Sequence, residues 1–507
     1  MASRRDQLNA YTFAKRRLLA AYAQSSPTGS EEGAPKPLRA VVPGTIVGVV
    51  VMAVFGAWGM FRPTAPQGWD EPAANVIVAD KSTTRYVVLK TDGVTQLHPV
   101  LNMASAKLLL KKGAQGDVVT VSEKVLDSGK LPHGVTIGIP YAPDRLPEPS
   151  EAGGAKRWAV CERPSAGGSV QKAALVLDDR DRKKTEGAGR LRGGQLLYVA
   201  DSGGDQYVVD RAGKAYPVDG DDELLLRAIV GSGHKPQQVS EEWLATLHRG
   251  DPVTFPSVEG TPGTPAEAGG GLDETTDRVG MVLEAFDNNK KQHYVVLPGR
   301  VAPITDFVAR LLLFSKQLAR LGQGGQAHRM SPGGIVPGES FAPRKDWPTG
   351  APTSVNDASG TGGARSTLCN LLLSVDPDSG HTTLGTWAGK DFPARLATGS
   401  SSAYVTPGSG QLYRQFHGTE TKAGPVFLVT DTGLRYVLQS NADAGTDDAG
   451  VGMSSKEREE QRKQTELARQ TLGYAGVEPA PVPAAWSEFL PTGPRLSTSA
   501  ARQPQGS

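Results

Sequence analysis

The sequence predicts an α+β protein: a single N-terminal transmembrane helix, then an elongated extracytoplasmic domain with a central β-sheet core and four small repeated hairpin-plus-helix modules. Three observations carry that reading. Ala40 to Phe61 holds no charged residue and is bracketed by Arg39 and Arg62. A strand, glycine turn, second strand and helix recur four times after it. The only two cysteines, Cys161 and Cys369, fall in two strand-rich pieces that do not match that recurrence.

Composition bounds the rest. A chain of 507 residues with 38% hydrophobic content is long enough for two or three domains and can bury a real core. The formal net charge of +2 comes from nearly balanced acids and bases, so no global field selects nucleic acid as a partner. The 61 glycines and 37 prolines follow no strict period, which indicates many turns and several long loops rather than a fibre.

Taken in order, residues 1–38 form a cytoplasmic basic helix and linker. From Asp6 to Ala23, Leu8, Tyr11, Leu18, Leu19 and Tyr22 make one helical stripe, into which Lys15 intrudes while Arg16 and Arg17 lie off it. Such a helix rests on anionic lipid or docks on a cytoplasmic partner, and the residues leave both open. Gln24 to Leu38 is a polar Pro/Gly/Ser linker. Residues 39–62 are the span, with ends at Ala40 and Phe61; a helix of that length reaches roughly 33 Å against a hydrocarbon core of about 30 Å. A cleavable leader has a shorter apolar core and a small-residue exit, whereas prolines flank the exit Arg62-Pro63-Thr64-Ala65-Pro66. Arg4, Arg5, Lys15, Arg16, Arg17, Lys36 and Arg39 precede the span, and the twenty residues after it hold only Arg62 and Lys81. This places the N-terminus in the cytoplasm and the body outside the membrane.

The first module (63–150) reads Tyr86-Val87-Val88-Leu89, a turn at Asp92-Gly93, Leu97-His98-Pro99-Val100, then the apolar stretch Leu101 to Leu110. The second (191–260) reads Tyr207 to Asp210, Gly213, Tyr216-Pro217-Val218 and a helix from Glu223 to Val230. The third (261–335) reads Tyr294 to Leu297, Gly299, Ala302-Pro303-Ile304 and a helix from Phe307 to Phe314. The fourth (401–497) reads Val426 to Val429, Gly433, Leu434 to Val437, lacks the proline and delays its helix to Ser455 through Leu472. A closing segment recurs at Leu131 to Val135, Trp243 to Gly250 and Trp486 to Gly493. The core comes in two parts, 151–190 and 336–400, the second with a long loop. Both thiols lie beyond the span, where disulfides persist, and they are expected to pair. Closing a loop of about 200 residues gives a chain-entropy stabilisation of about 5 kcal/mol before strain. Gly260 to Asp277 and Gly322 to Gly363 read as long loops outside any core, and residues 498–507 as a disordered tail.

Chemistry is sparse. The nearest match to a phosphate-cradling loop, Gly385-Thr386-Trp387-Ala388-Gly389-Lys390-Asp391, is one residue short and ends in Asp where a hydroxyl should hold magnesium. His98, His133, His234, His248 and His293 show no metal-ligand spacing, so no metal, cofactor or catalytic residue is assigned. Asp178 to Asp181 and Asn441 to Asp448 read as solvated loops, the second lacking the bidentate Glu of a calcium loop. Tyr141, Trp158, Trp243 and Trp486 would suit a sugar groove, but tryptophan at such spacing is more often core.

Asp6-Gln7-Leu8-Asn9-Ala10-Tyr11-Thr12-Phe13-Ala14-Lys15-Arg16-Arg17, the span after Pro37-Leu38-Arg39-Ala40, and Pro66-Gln67-Gly68-Trp69 together resemble the EccB family, a membrane component of actinobacterial type VII (ESX) secretion systems. The likeness covers nearly the whole chain. It implies a single-pass structural component of the cell membrane, oligomeric within a larger complex, neighbouring EccD, the motor ATPase EccC, EccE and the mycosin protease. It implies that Cys161 and Cys369 bridge the body, and that Tyr11, Phe13, Lys15, Arg16 and Arg17 dock on membrane or partner. The modules look like cell-wall-binding domains, so a membrane-anchored peptidoglycan-binding module is the alternative, and a weak ATPase a further one. Family members are sometimes labelled ATPases, yet no phosphate loop supports that here. The long Gly/Pro insertions depart from the family pattern.

Overall fold

Short runs of β-branched and aromatic residues between glycine turns become strands, and the structure, a computed structural model, describes residues 3–23, 38–60, 65–111, 117–165, 169–287, 290–356, 365–396, 402–438 and 455–505. The chain divides into two units, Met1–Gln67 and Gly68–Ser507.

The first unit consists of two helices, α1 (Arg4–Ala23) and α2 (Leu38–Met60). Pro43 falls near the start of α2, where its missing N–H costs little. The stretch read as a span is therefore helical, but the side chains described in it run from Val41 to Ala57. Among the described residues no helix is long and apolar enough to cross a membrane. The linker residues Gln24 to Pro37 and the expected end at Phe61 lie outside the described residues.

The second unit is α+β and rich in sheet. Its centre is five-stranded, in the order Thr382–Gly389, Thr367–Val375, Arg157–Pro164, Val170–Leu177, Ala403–Val405. The first four strands are antiparallel and the last runs parallel to its neighbour. The two halves of this sheet are far apart in sequence, and two further sheets are formed by the chain between them.

Four further sheets, built on four-stranded units, share one strand order. In the first, Val76–Ala79, Arg85–Thr91 and Val94–Val100 form an antiparallel meander, and Val118–Val121 runs parallel along the first strand. Asp92 and Gly93 sit at φ 52° and 82°, as the tight turn of a two-residue hairpin requires. The same arrangement recurs in the second sheet (Gln195–Ala200, Gln206–Val209, Lys214–Val218, with Gln237–Gln238) and the third (Val282–Asp287, Lys290–Leu297, Arg300–Ile304, with His328–Met330). The fourth consists of Gly410–Phe416, Val426–Thr430, Arg435–Val437 and Ala480–Pro483. Hairpins and helices lie where the sequence put them, including Glu223–Ile229, Asp306–Phe314 and Ser455–Thr471. The strand preceding each hairpin and the parallel strand after it were not anticipated.

Three further expectations need correction. The loop from Gly322 to Gly363 is, over its described residues up to Asn356, not outside the core, because Ile335 and Trp347 are buried and Thr353–Ser354 pairs with the second sheet. Asn356, 2% exposed, donates to Tyr198 O at 2.9 Å and accepts from Tyr198 N at 2.8 Å. Gly260 to Asp277 buries Ala266 against Val279, Met281 and Leu283. The C-terminal residues form a helix, Thr498–Ala501, capped by Ser497, and Gln505 N donates to Thr136 O at 2.9 Å. Apolar anchors spaced far apart, rather than a periodic pattern, hold these segments.

One face of the central sheet packs against both the second and fourth sheets, bringing Trp158, Val160 and Leu368 together with Trp243 and Trp486. The first sheet packs on the fourth, through Val87 and Leu428, and the third on the second, through Val295 and Tyr198. The contacts therefore run in series: first, fourth, centre, second, third.

Candidate functional site

Cys161 and Cys369 occupy directly opposed positions on neighbouring central strands and form a disulfide, with S–S 2.05 Å and Cα–Cα 4.0 Å. Both are fully buried, on the face that carries Ala173, Leu175, Leu371 and Trp387 and is overlaid by Phe392, Ala394 and Leu396. Strand alternation sends Trp158, Val160 and Glu162 to the other face.

That other face receives the second sheet through a polar clasp. Glu162 is fully buried and accepts from Ser240 N at 2.9 Å and Ser240 Oγ at 2.5 Å. Burial pushes its carboxyl above the usual range, against the opposing pull of the Ser240 bonds and Lys172. Ser240 caps the helix Glu241–Leu244, whose Trp243 donates from Nε1 to Val160 O at 3.2 Å. Asn370 Nδ2 donates to Trp243 O at 3.0 Å and to Thr246 Oγ1 at 2.6 Å. On the fourth-sheet side Trp158 Nε1 donates to Gln411 Oε1 at 2.8 Å, and Arg435 Nη1 donates to Gln415 Oε1 at 2.8 Å and Ser487 Oγ at 2.9 Å. Trp158, Trp243 and Trp486 are thus core wedges and line no groove. Sequence reasoning missed Glu162, Ser240 and Asn370; the only signal was a Ser-x-x-Trp start resembling a helix cap.

The closing segments run parallel to the third strand of their sheets, with bridges Leu97 to His133 and Arg435 to Thr492 and the pairing of His248–Arg249 with Lys214 and Ala215. Each passes a glycine over a ring. A Cβ on Gly134 would lie 2.3 Å from His98 Cε1, on Gly250 2.3 Å from Tyr216 Cδ1, and on Gly493 2.5 Å from Tyr436 Cε1. The third sheet has the same segment, bridged Val301 to Pro337, which the sequence did not reveal. There the ring position is Ala302, and a Cβ on Gly338 would meet Arg300 Cβ at 3.5 Å, an ordinary contact.

In α1, Tyr11, Ala14, Lys15, Leu18, Leu19 and Tyr22 line one face. Tyr11 and Phe13 are exposed, as are Lys15, Arg16 and Arg17, and Phe13 lies off that face. Ala40 is in α2.

The chemical look-alikes resolve into structure. Gly385 to Gly389 lies in the edge strand of the central sheet, its backbone engaged in the ladder with Thr367–Val375 rather than looped around a phosphate. Asp178 is buried and Asp181 Oδ2 accepts from Tyr404 OH at 2.6 Å, so these two act as a clasp, while Asp179 and Arg180 between them are exposed as a solvated loop would have them. The cluster from Asn441 to Asp448 lies outside the described residues. His248 stacks on His381 with centroids 5.8 Å apart, and burial, reinforced by His381, pulls its pKa down. His293 stands between Asp306 Oδ1 at 2.8 Å and Glu284 Oε2 at 3.9 Å, tying hairpin to helix. Among the described residues no group of His, Cys, Asp or Glu could hold a metal ion.

Comparison with known proteins gives a consistent set. Residues 1–506 match the family model described as "Type VII secretion system ESX-1, transport TM domain B", EccB. The chain is 27% identical to the ESX-3 secretion system ATPase EccB3 of Mycobacterium tuberculosis (strain ATCC 25618 / H37Rv), over 98% of this chain and 88% of the relative. It is 28% identical to the ESX-1 secretion system ATPase EccB1 of Mycolicibacterium smegmatis (strain MKD8), over 54% of each. Among solved structures it is similar in fold to the EccB3 dimer from the ESX-3 core complex (22% identity, 84% of this chain, 99% of that chain, TM-score 0.53). An intact ESX-5 inner membrane complex contains a chain of similar fold (20% identity, 100% of this chain, 96% of that chain, TM-score 0.52).

Proposed function

The chain belongs to the EccB family of type VII (ESX) secretion components, and from that premise we propose that it is a single-pass structural member of an ESX membrane complex, with its foot in the cytoplasm and its body outside. The observation that carries this reading is the family match over residues 1–506, which takes in α1, α2 and the disulfide-tied body together.

The membrane crossing is supported by the full length and sequence of α2, although its described side chains alone do not make a helix long and apolar enough to cross. Its 23 residues would reach about 35 Å. Val41, Ile46, Val50 and Phe55 on its different sides are all exposed, and a helix apolar all round needs an apolar surrounding. Orientation is supported by the seven basic residues before the span against Arg62 and Lys81 after it. The disulfide is compatible with a body outside the reducing cytoplasm.

In this reading α1 docks through Tyr11, Phe13, Lys15, Arg16 and Arg17 on anionic lipid or on EccC, EccD or EccE, and the body meets the mycosin protease. The four small sheets are repeats of one module; their common strand order and, in three of them, a glycine of the closing segment over a ring support that. Binding of cell wall by these modules is the alternative role of the body. The relatives are named ATPases, and for this chain the structural role is preferred because Gly385 to Gly389 is a ladder strand.

A detergent pull-down from native membranes, comparing wild type with Tyr11→Ala, Arg16→Ala and Arg17→Ala combined, tests the docking. We expect co-purifying membrane partners to be lost from the triple variant. Equal recovery of partners would reject partner docking by α1, and recovery of none by wild type would reject membership of a complex.

A further inference from the structure

One cluster of charge is not absorbed by the scaffold reading. Leu412 and Arg414 are two residues apart on the strand Gly410–Phe416 and so share a face. Leu412 packs in one cluster with Ala468 and Leu472 of the helix Ser455–Thr471, which places that helix over the same face. On the helix, Arg469 adjoins Ala468, and Arg462 lies seven residues earlier, two turns along the same side. Three guanidinium groups therefore border one seam between strand and helix.

Their partners are few. Arg414 Nη1 donates to Gly424 O at 3.2 Å and forms no ion pair among the described residues. Arg469 Nη2 pairs with Glu466 at 2.7 Å and donates to Ala475 O at 3.5 Å, and Nη1 donates to Val477 O at 3.2 Å, but its buried Nε has no hydrogen-bond partner. Arg462 is exposed and also forms no ion pair among the described residues. Burial, then the fields of Arg469 and Arg462, pull the Arg414 pKa down, with Glu478 opposing. Lys463 is satisfied by Glu459 at 2.8 Å. Two half-buried cations and an exposed third, which repel one another and share one direct carboxylate contact among the described residues, are placed to take a further anion.

We propose that Arg414, Arg462 and Arg469 form a binding site for a phosphate-type oxyanion at the seam between the fourth sheet and the Ser455–Thr471 helix. Guanidinium forks match the paired oxygens of phosphate, and Arg414 and Arg462, which form no ion pair among the described residues, keep their forks available. A free phosphate and a phospholipid headgroup share this chemistry. The proposal does not depend on the secretion role.

The test is calorimetric titration of the purified full chain, held in phosphatidylcholine nanodiscs, with inorganic phosphate against chloride at matched ionic strength. Saturable binding is expected, weakened roughly tenfold in Arg462→Gln and in Arg414→Gln, the loss expected for one charged hydrogen-bond donor. Arg462 is exposed, so its variant reports binding without disturbing the fold; matching thermal melts check this. Repeating the titration in phosphatidylglycerol nanodiscs separates the sources: phosphate binding suppressed there identifies a lipid headgroup, and binding unchanged identifies a soluble oxyanion. No saturable binding by wild type, or equal binding by both variants, overturns the site.

Discussion

Adding one methyl group to the glycines of the closing segments should destabilise three of the four small sheets and spare the other. At Gly250 the new Cβ would stand 2.3 Å from Tyr216 Cδ1 and 2.5 Å from Cε1. The ring cannot swing away cheaply: it is 1% exposed, and its hydroxyl donates to Asp346 O at 2.6 Å. At Gly493 the contact is with Tyr436, whose hydroxyl is hydrogen-bonded to Thr432 Oγ1 at 3.1 Å. Relieving either clash means lifting the segment off the third strand, and overpacking of this kind costs about 1–3 kcal/mol. Gly338 is the internal control, since Ala302 leaves its Cβ an ordinary 3.5 Å contact. No positive φ is involved at these three positions, so the expected cost is steric alone. The assay is urea denaturation of the full chain in detergent, comparing Gly250→Ala, Gly493→Ala and Gly338→Ala. The first two should lower the midpoint and the last should leave it within error. A loss for Gly338→Ala equal to that for Gly250→Ala would refute the reasoning.

Replacing Cys161 and Cys369 together by Ser should cost about 2–5 kcal/mol in denaturation, the usual loss for a native bridge, and wild type under reductant should approach the variant. Unchanged denaturation would mean the central sheet needs no bridge. Glu162 predicts a pH signature. Burial raises its folded pKa above the ordinary value of 4.5, so the folded state holds its proton longer than the unfolded chain. Stability therefore falls as pH rises from about 4.5 through the folded value, and Glu162→Gln should flatten that slope in denaturation measured from pH 4 to 7. An identical slope in the variant would place the titration elsewhere. Asn370→Ala should loosen the Trp243 helix by about 1–3 kcal/mol, because Trp243 O and Thr246 Oγ1 lose a buried donor, and a blue-to-red shift of tryptophan emission would report it.

Much of the fold was legible where local chemistry and tertiary packing agree. Tyr-Val-Val runs followed by Asp-Gly or Pro-Gly turns announced hairpins, and Asp222, Thr305 and Asn102 stand as helix caps where helices were expected. The strand Ala480–Pro483 escaped notice because Pro481 and Pro483 argue against a strand unless its outer edge is free. Gln237–Gln238 is too short to carry a period. Trp347 and Asn356 sit in Gly/Pro-rich sequence, where burial comes from single long-range contacts. The pairing of Cys161 with Cys369 could be inferred from their isolation, but the clasp of Glu162, Ser240 and Asn370 could not, since its members lie in three distant segments.

The central claim is a foot inside the cell and a cysteine-bridged body beyond the membrane. It is tested most directly by labelling wall-stripped intact cells with a membrane-impermeant maleimide, using single cysteines at Ser3→Cys and Asp179→Cys. The native cysteines are bonded to each other, and the Asp179 side chain is 87% exposed. The account predicts labelling at position 179 and none at position 3 until the membrane is opened. Labelling at position 3 with position 179 protected would contradict it.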